Sequence, residues 1–317
     1  MSALIISLVN LYVKLGGGVL LGVILGRILP KILIAHLGKF LFWVGIPISI
    51  IAFLRGSDLS SSIWVAPVVA WAAILLGAII ARVWIALETR RQQFNFPFSS
   101  CPNWSLPTQG SFILAAMVGN TGYMGYPVAL ALLGEKYFAW ALFYDMVGTL
   151  FGAYGLGVMI AARFGMGIKN HWQLALTMLQ NPSLWCFGFG ILIRDIPLPY
   201  FLDNILKGFG WAIIWLALIL MGMRLSQLSS WHSLKQASIS LVIKMLVVPL
   251  ILGSVLSLLG FTGWQRLTLV LQAAMPPAFA TLVIAEAYNL DRDLTVTAIA
   301  VGSLALLLTL PIWLWLF

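Results

Sequence analysis

Apolar stretches alternate with short polar stretches along the whole chain, and most of the apolar stretches reach the roughly 20 residues that a helix needs to cross a bilayer. The pattern predicts an all-α integral membrane protein with ten transmembrane helices. The N-terminal stretch lacks a basic n-region and a small-residue cleavage site, so we expect it to be kept as the first span. The predicted spans are 4–27, 33–54, 62–85, 110–134, 137–162, a short sixth at 182–195, 200–223, 235–259, 264–286 and 294–316.

The composition agrees with a chain whose surface faces lipid. Of the 317 residues, 62% are apolar and only 9% are charged, with a mean hydropathy of +1.02. About a quarter of the residues of a soluble domain are charged, so a soluble protein is excluded. The net charge is +9, but the basic residues are scattered at the ends of spans, and nucleic acid is not an expected partner. The two cysteines, Cys101 and Cys186, provide no disulfide framework.

Basic residues are distributed unequally between the loops. Loops after even-numbered spans hold fewer of them, and most of these stand beside an acid. Because basic residues are enriched in cytoplasmic loops, we expect both termini on the non-cytoplasmic side of the plasma (inner) membrane. The loops after odd-numbered spans carry Arg27, Lys31, Lys39, Arg82, Arg90, Arg91, Arg163, Lys169, Arg224 and Lys235.

The two halves of the chain, 1–163 and 164–317, are similar in pattern. Arg55 and Arg224 each follow the second span of a half, while Pro127 and another proline lie in the fourth span of each half. A chance alignment of hydrophobic segments is the alternative reading. An odd number of spans in each repeat would insert the copies in opposite orientations, as in many secondary transporters.

The fourth span of each half contains residues that a continuous helix avoids. The first reads GNTGYMGYPVALALLG (119–134) and the second LVLQAAMPPAFATLVIAEAY (269–288). A proline inside a helix costs about 3 kcal/mol, and unpaired backbone groups in hydrocarbon cost more. Two breaks at equivalent depth predict two discontinuous helices that meet at the middle of the membrane. The alternative is that the prolines only kink the helices and the glycines only allow close packing.

Broken helices of this kind suit an anionic ligand. The N-terminus of each half-helix carries free N–H groups and a partial positive charge. We therefore expect a substrate site at the crossing. Its candidate residues are Asn120, Thr121, Tyr123, Tyr126, Pro127, Gln272, Met275, Pro276 and Pro277.

Taken in this order, the two motifs resemble those of the auxin efflux carrier family of membrane transporters, and the similarity extends over the chain, including Pro47 in the second span. The resemblance implies a fold similar to bile-acid symporters and sodium/proton antiporters. In that fold, spans 3–5 and 8–10 form a transport domain, whereas spans 1–2 and 6–7 form a scaffold and a homodimer interface. The cargo that the family implies is a small organic anion, such as an indole acid or a dicarboxylate.

The resemblance also assigns residues. Asn120 matches an asparagine associated with binding of the substrate carboxylate, and Pro127 and Pro276 match the crossover prolines. Many relatives have Val-Asn where this chain has Phe279 and Ala280. The second half of the pocket is therefore expected to be more apolar, which weakens the case for a dicarboxylate.

Three ionisable residues lie well inside predicted spans, namely Lys14, Asp145 and Lys244. A lone charge at the bilayer centre costs about 2.5–3.5 kcal/mol, so each needs a partner or a cavity. Asp145 is a candidate proton or cation site, and Lys244 a candidate counter-charge for an anion. The alternative is a structural ion pair between them. Lys14 is the third candidate, although its position beside the glycines 16–18 favours a structural role.

These features predict a secondary transporter that moves a small organic anion by alternating access. A membrane receptor or sensor that binds a ligand without moving it is the alternative. The chain contains no nucleophile motif or nucleotide-binding loop, so an enzyme is not expected. His36, His171 and His232 lie in separate regions, so neither a metal site nor a cofactor is expected.

Overall fold

The computed structural model describes residues 13, 16–55, 57, 59, 61–93, 104–165, 179–227 and 233–317. Apart from one isolated antiparallel pairing, this part of the chain is helical and has no strand. The helices are α1 (Gly17–Ile28), α2 (Lys31–Leu54), α3 (Val65–Gln93), α4 (Leu106–Met117), α5 (Tyr126–Leu133), α6 (Glu135–Phe164), α7 (Pro182–Ile193), α8 (Tyr200–Ser226), α9 (Leu234–Leu258), α10 (Gly263–Ala273), α11 (Phe279–Ala287) and α12 (Arg292–Leu316).

Six of these helices are long and apolar enough to cross a membrane: α2, α3, α6, α8, α9 and α12. Two shorter apolar helices, α1 and α7, have 12 residues each within the described chain. Apolar side chains cover much of the outer surface, including Leu192, Trp315 and Leu308. The protein is therefore a membrane-embedded, multi-pass protein, as the hydrophobic pattern predicts.

The helices pack as two groups. In the first, α8 contacts α1 and α2, and α2 contacts α7. The contact between α1 and α8 depends on Gly22 and Gly222, because a Cβ atom at either position would overlap the backbone of the other helix. In the second group, α3 contacts α4 and α6, while α9 contacts α10 and α12. The two short pairs, α4–α5 and α10–α11, pack mainly within the second group, and α5 also contacts α8 of the first.

Both segments with unusual sequences are interrupted. Helix α4 ends at Met117, and after an extended stretch a π-helical turn at Thr121–Gly125 leads into α5. Helix α10 ends at Ala273, and α11 begins at Phe279. The predicted spans 110–134 and 264–286 are thus each two short helices, because glycines and prolines interrupt the helical hydrogen bonds.

Candidate binding site at the crossing of two broken helices

The two interruptions cross and pair with each other. Gly119 and Pro277 form a short antiparallel bridge. The Asn120 N–H donates to the Pro276 carbonyl at 2.7 Å, and the Ala278 N–H donates to the Val118 carbonyl at 3.1 Å. Each break therefore satisfies backbone groups that the other leaves open, which allows non-helical chain inside an apolar protein.

Glycines lie where the crossing is tightest. A Cβ atom at Gly125 would overlap the side-chain amide of Gln272. A Cβ atom at Gly119 would lie 3.1 Å from the Lys244 ammonium nitrogen. The glycines of the first motif thus allow close approach to the second broken segment and to α9.

A buried carboxylate lies beside the first break. Asp145 belongs to a π-helical turn of α6, Tyr144–Thr149. The Thr121 hydroxyl donates to its Oδ1 at 2.5 Å, and the Tyr126 hydroxyl donates to its Oδ2 at 2.7 Å. Both donors are neutral, and a carboxylate has about four acceptor positions, so Asp145 keeps capacity for a proton or a cation.

Lys244 supports the second break. Its ammonium group donates to the Ala273 carbonyl at 2.7 Å, and the side chain is only 2% exposed. Ala273 is the last residue of α10, where a positive charge complements the partial negative charge of the helix end. The ion pair between Asp145 and Lys244, an alternative considered from the sequence, is wrong: in the described chain Asp145 accepts from two hydroxyls and Lys244 donates to a carbonyl.

A cavity of about 150 Å³ adjoins the crossing. A cavity of about this volume can hold a molecule the size of benzene. The first amides of α11 and of the turn before α5 have no acceptor within their own helices, and both segments line the cavity. The lining residues are Phe42, Ile46, Val118–Gly122, Tyr123, Tyr126, Asp145, Met146, Thr149, Leu150, Ala153, Tyr154, Asn181, Ser183 and 278–280.

The residues predicted from the sequence divide into three sets. The first set lines the cavity: Asn120, Thr121, Tyr123, Tyr126 and Asp145. The second lies behind the wall as support for the crossing: Gln272, Met275, Pro276, Pro277 and Lys244. The third is elsewhere: Pro127 lines a separate crevice with Trp211 and Trp215 of α8, and Lys14 lies outside the described residues.

The side-chain hydrogen bond of Asn120 is weak. It is 3% exposed, and its amide nitrogen makes a weak contact of 3.9 Å with the Met221 sulfur. A thioether is a poor acceptor, so this amide can bind a better partner without losing a strong bond.

Sequence reasoning missed the wall opposite the crossing. Phe42 and Ile46 of α2, together with Asn181 and Ser183 at the start of α7, complete the cavity. The side chain of Asn181 accepts from the Ser183 N–H at 3.0 Å and so caps α7. Only tertiary packing brings these residues to the site. Ala280 could be expected at the cavity from the sequence, because the relatives that the chain resembles have an asparagine at this position.

The cavity extends toward one end of the molecule. The residues of α6 that line it lie between Asp145 and Tyr154, in the middle of the helix, and Asn181 and Ser183 line it from the start of α7. At the N-terminal end of α6, the Trp211 indole N–H donates to the Glu135 carboxylate at 3.1 Å. The Ser57 hydroxyl lies 2.9 Å from the Glu135 carbonyl, to which it donates. The helix groups are thus joined at one end, and a cavity lies between them at the other.

The described residues contain no group of three or more His, Cys, Asp or Glu side chains that could hold a metal ion. Among the described residues that line the cavity, Asp145 is the one that carries a charge. The site can therefore offer backbone amides, two amide side chains, hydroxyl groups and one carboxylate to a small ligand.

Comparisons with known proteins give a consistent result. Residues 170–314 match a family model described as membrane transport protein. An uncharacterised transporter of Methanocaldococcus jannaschii is 29% identical over 211 residues, which cover 65% of this chain and 68% of that protein. An uncharacterised transporter of Methanothermobacter thermautotrophicus is 29% identical over 280 residues, which cover 87% of each protein.

Proposed function

We propose that the chain, which resembles the auxin efflux carrier family and matches a membrane transport protein model over residues 170–314, is a secondary transporter of a small organic anion. The substrate binds at the crossing of the two broken helices and crosses the membrane by alternating access. The observation that carries this proposal is the cavity beside the crossing, which two sets of unpaired N-terminal amides line.

The proposed architecture has ten spans in two inverted repeats, 1–163 and 164–317, with broken spans 4 and 9. Spans 3–5 and 8–10 form the moving transport domain, and spans 1–2 and 6–7 form the scaffold, through which two copies associate as a homodimer. The two packing groups support this division. Both termini lie on the non-cytoplasmic side of the plasma membrane, so the cavity opens toward the cytoplasm.

The proposed substrate carries one carboxylate on an apolar body. The aromatic side chains of Phe42, Tyr123, Tyr154 and Phe279 line the cavity, and none of the described residues that line it is a Lys or Arg. A dicarboxylate would need a second site for negative charge. An apolar body gains from contact with the rings, while the carboxylate accepts from the amides and from Asn120.

We propose that Asp145 couples transport to a proton or another cation. A bound anion would share the cavity with the Asp145 carboxylate, and two negative charges in a place of low polarity repel each other strongly. A proton or cation on Asp145 removes this repulsion. The neutral hydroxyls of Thr121 and Tyr126 orient the carboxylate without neutralising it.

Solute counterflow tests the proposed function. Purified protein in liposomes loaded with unlabelled small carboxylates should accumulate the same labelled compound for at least one member of the panel. Asn120→Ala should reduce this exchange to background, because the carboxylate loses its amide donor. Asn204→Ala is the matched control, since Asn204 is exposed near the start of α8 and is not among the residues that line the cavity. Near-normal exchange by Asn120→Ala, with both variants folded, would exclude the proposed site.

Solute counterflow also distinguishes a transporter from the alternative, a membrane receptor or sensor. A receptor or sensor with this fold would bind a carboxylate, as seen in a thermal shift, and would give no counterflow. Binding without exchange across the whole panel would therefore favour the sensor.

A further inference from the structure

Arg224 lies beside both broken segments. It belongs to the last turn of α8, and its guanidinium carbon is 5.7 Å from the centre of the Tyr123 ring and 5.1 Å from the centre of the Phe279 ring. Tyr123 belongs to the first break and Phe279 begins α11, and both rings line the cavity. The guanidinium group therefore stands directly behind two parts of the cavity wall.

The charge of Arg224 has no acidic partner in the described chain. The described ion pairs of the other arginines include Arg55 with Asp203, Arg194 with Asp195 and Arg292 with Glu286. The contacts of Arg224 are instead the two rings and Gly38, where a Cβ atom would lie 2.8 Å from its Nη2. Aromatic rings attract a cation without cancelling its charge.

The other charges near the cavity have separate roles. Asp145 accepts from two hydroxyls, and Lys244 donates to the Ala273 carbonyl behind Gly119. A positive charge set behind walls of low polarity raises the electrostatic potential inside a cleft and the local concentration of anions.

We propose that Arg224 determines the charge selectivity of the cavity: its positive charge, held behind Tyr123 and Phe279, favours anions over neutral and cationic solutes. It acts through the potential of the cavity and does not touch the substrate. This inference rests on the proposed function, because it concerns the same cavity, but it makes a claim that can be measured without any transport.

The test compares two thiol reagents of opposite charge at one cavity position. In a background with Cys101→Ser and Cys186→Ser, Ala280→Cys provides a thiol in the cavity wall. The reagents are methanethiosulfonate ethylsulfonate, which is negative, and methanethiosulfonate ethyltrimethylammonium, which is positive. The rate at which each reagent modifies the cysteine is divided by its rate with a small thiol in solution, which corrects for the different reactivity of the two reagents. Asn181→Cys, on the opposite wall, serves as a second reporter position.

We expect Arg224→Gln to lower the ratio of the negative to the positive reagent by roughly fivefold, since the potential acts on the two in opposite directions. Arg224→Lys should keep most of the ratio, because the charge is kept. Lys207→Gln is the matched control, since Lys207 is on the same helix and is already paired with Asp203; its ratio should not change. The rate with neutral N-ethylmaleimide shows that each variant keeps its fold and its access.

An unchanged ratio in Arg224→Gln would overturn the inference, and so would an equal change in Lys207→Gln. A failure of both cysteines to react would also overturn it, because the inference requires a cavity connected to water. If the ratio falls as expected but counterflow is absent, the cavity selects anions and the transport proposal alone fails.

Discussion

Arg55 directly follows the long apolar helix α2, and Arg224 lies in the last turn of α8, but the two side chains make different contacts. The Arg55 guanidinium donates to the carbonyls of Ile193 and Ile196 at 2.9 and 2.7 Å, and it lies 3.5 Å from the Asp203 carboxylate. Arg224 has aromatic rings for partners and no described acid. Arg55 therefore holds helices together, whereas no described acid neutralises the positive charge of Arg224.

The regions around the two arginines differ in the same way. Near Arg55, the contacts among Ser57, Glu135 and Trp211 join the two helix groups. Near Arg224, a cavity lies between the groups, which touch there through the guanidinium and the Tyr123 and Phe279 rings. A carrier that exposes its site to one side at a time requires one joined end and one open end, so this asymmetry supports a conformation open at the Arg224 end.

Replacing each arginine in turn tests most strongly whether the two have different structural roles. Arg55→Gln should lower the free energy of unfolding by about 2–3 kcal/mol, because charge-assisted hydrogen bonds to two carbonyls are lost. Arg224→Gln should lower it by about 1 kcal/mol, the range of exposed cation–π contacts. Denaturant titration in mixed micelles measures both. Equal losses would show that the two arginines do not differ in structural role.

The open end contains the acid that we assign to coupling. A gradient of one pH unit can drive about tenfold accumulation when one proton moves with each anion. Asp145→Asn should abolish this accumulation and its pH dependence while counterflow persists. Asp195→Asn is the control, because Asp195 is exposed and paired with Arg194. If wild type and Asp145→Asn respond to pH alike, the coupling role is wrong.

The joined end can be weakened by a smaller change. Trp211→Phe removes the indole donor to Glu135 and keeps an aromatic ring, so the free energy of unfolding should fall by about 1 kcal/mol. In a double-mutant cycle with Glu135→Ala, the coupling energy should be of the order of 1 kcal/mol. Trp215→Phe, one turn further along α8, should show no coupling with Glu135→Ala. Additive effects of Trp211→Phe and Glu135→Ala would mean that the contact does not join the groups.

Much of the fold follows from local pattern. Apolar length predicts the helices α2, α3, α6, α8, α9 and α12, because the lipid core sets a minimum length. The breaks at Asn120 and Pro276 also follow from sequence, since proline and glycine change backbone hydrogen bonding wherever they stand. Helix length and helix breaks depend on residues that are close together in the chain, so a single sequence is enough to predict them.

The partners of buried groups could not be predicted in the same way. The sequence indicates that Asp145 and Lys244 need partners, and the obvious inference is that they pair. The structure instead gives Asp145 two neutral hydroxyls and Lys244 a helix-end carbonyl. Both solutions satisfy buried charges, and the choice depends on the relative positions of helices. For the same reason, the sequence does not show that Phe42 lines the cavity, because only the packing of α2 places it there.

The central claim is that the crossing of the broken helices holds the cargo. The most direct measurement is a structure of the protein with a brominated carboxylate from the counterflow panel, since bromine locates the ligand without ambiguity. We expect the carboxylate within hydrogen-bond distance of Asn120 and the first amides of α11, with the brominated body against Phe279. A transported ligand that binds elsewhere, with this cavity unoccupied, would contradict it.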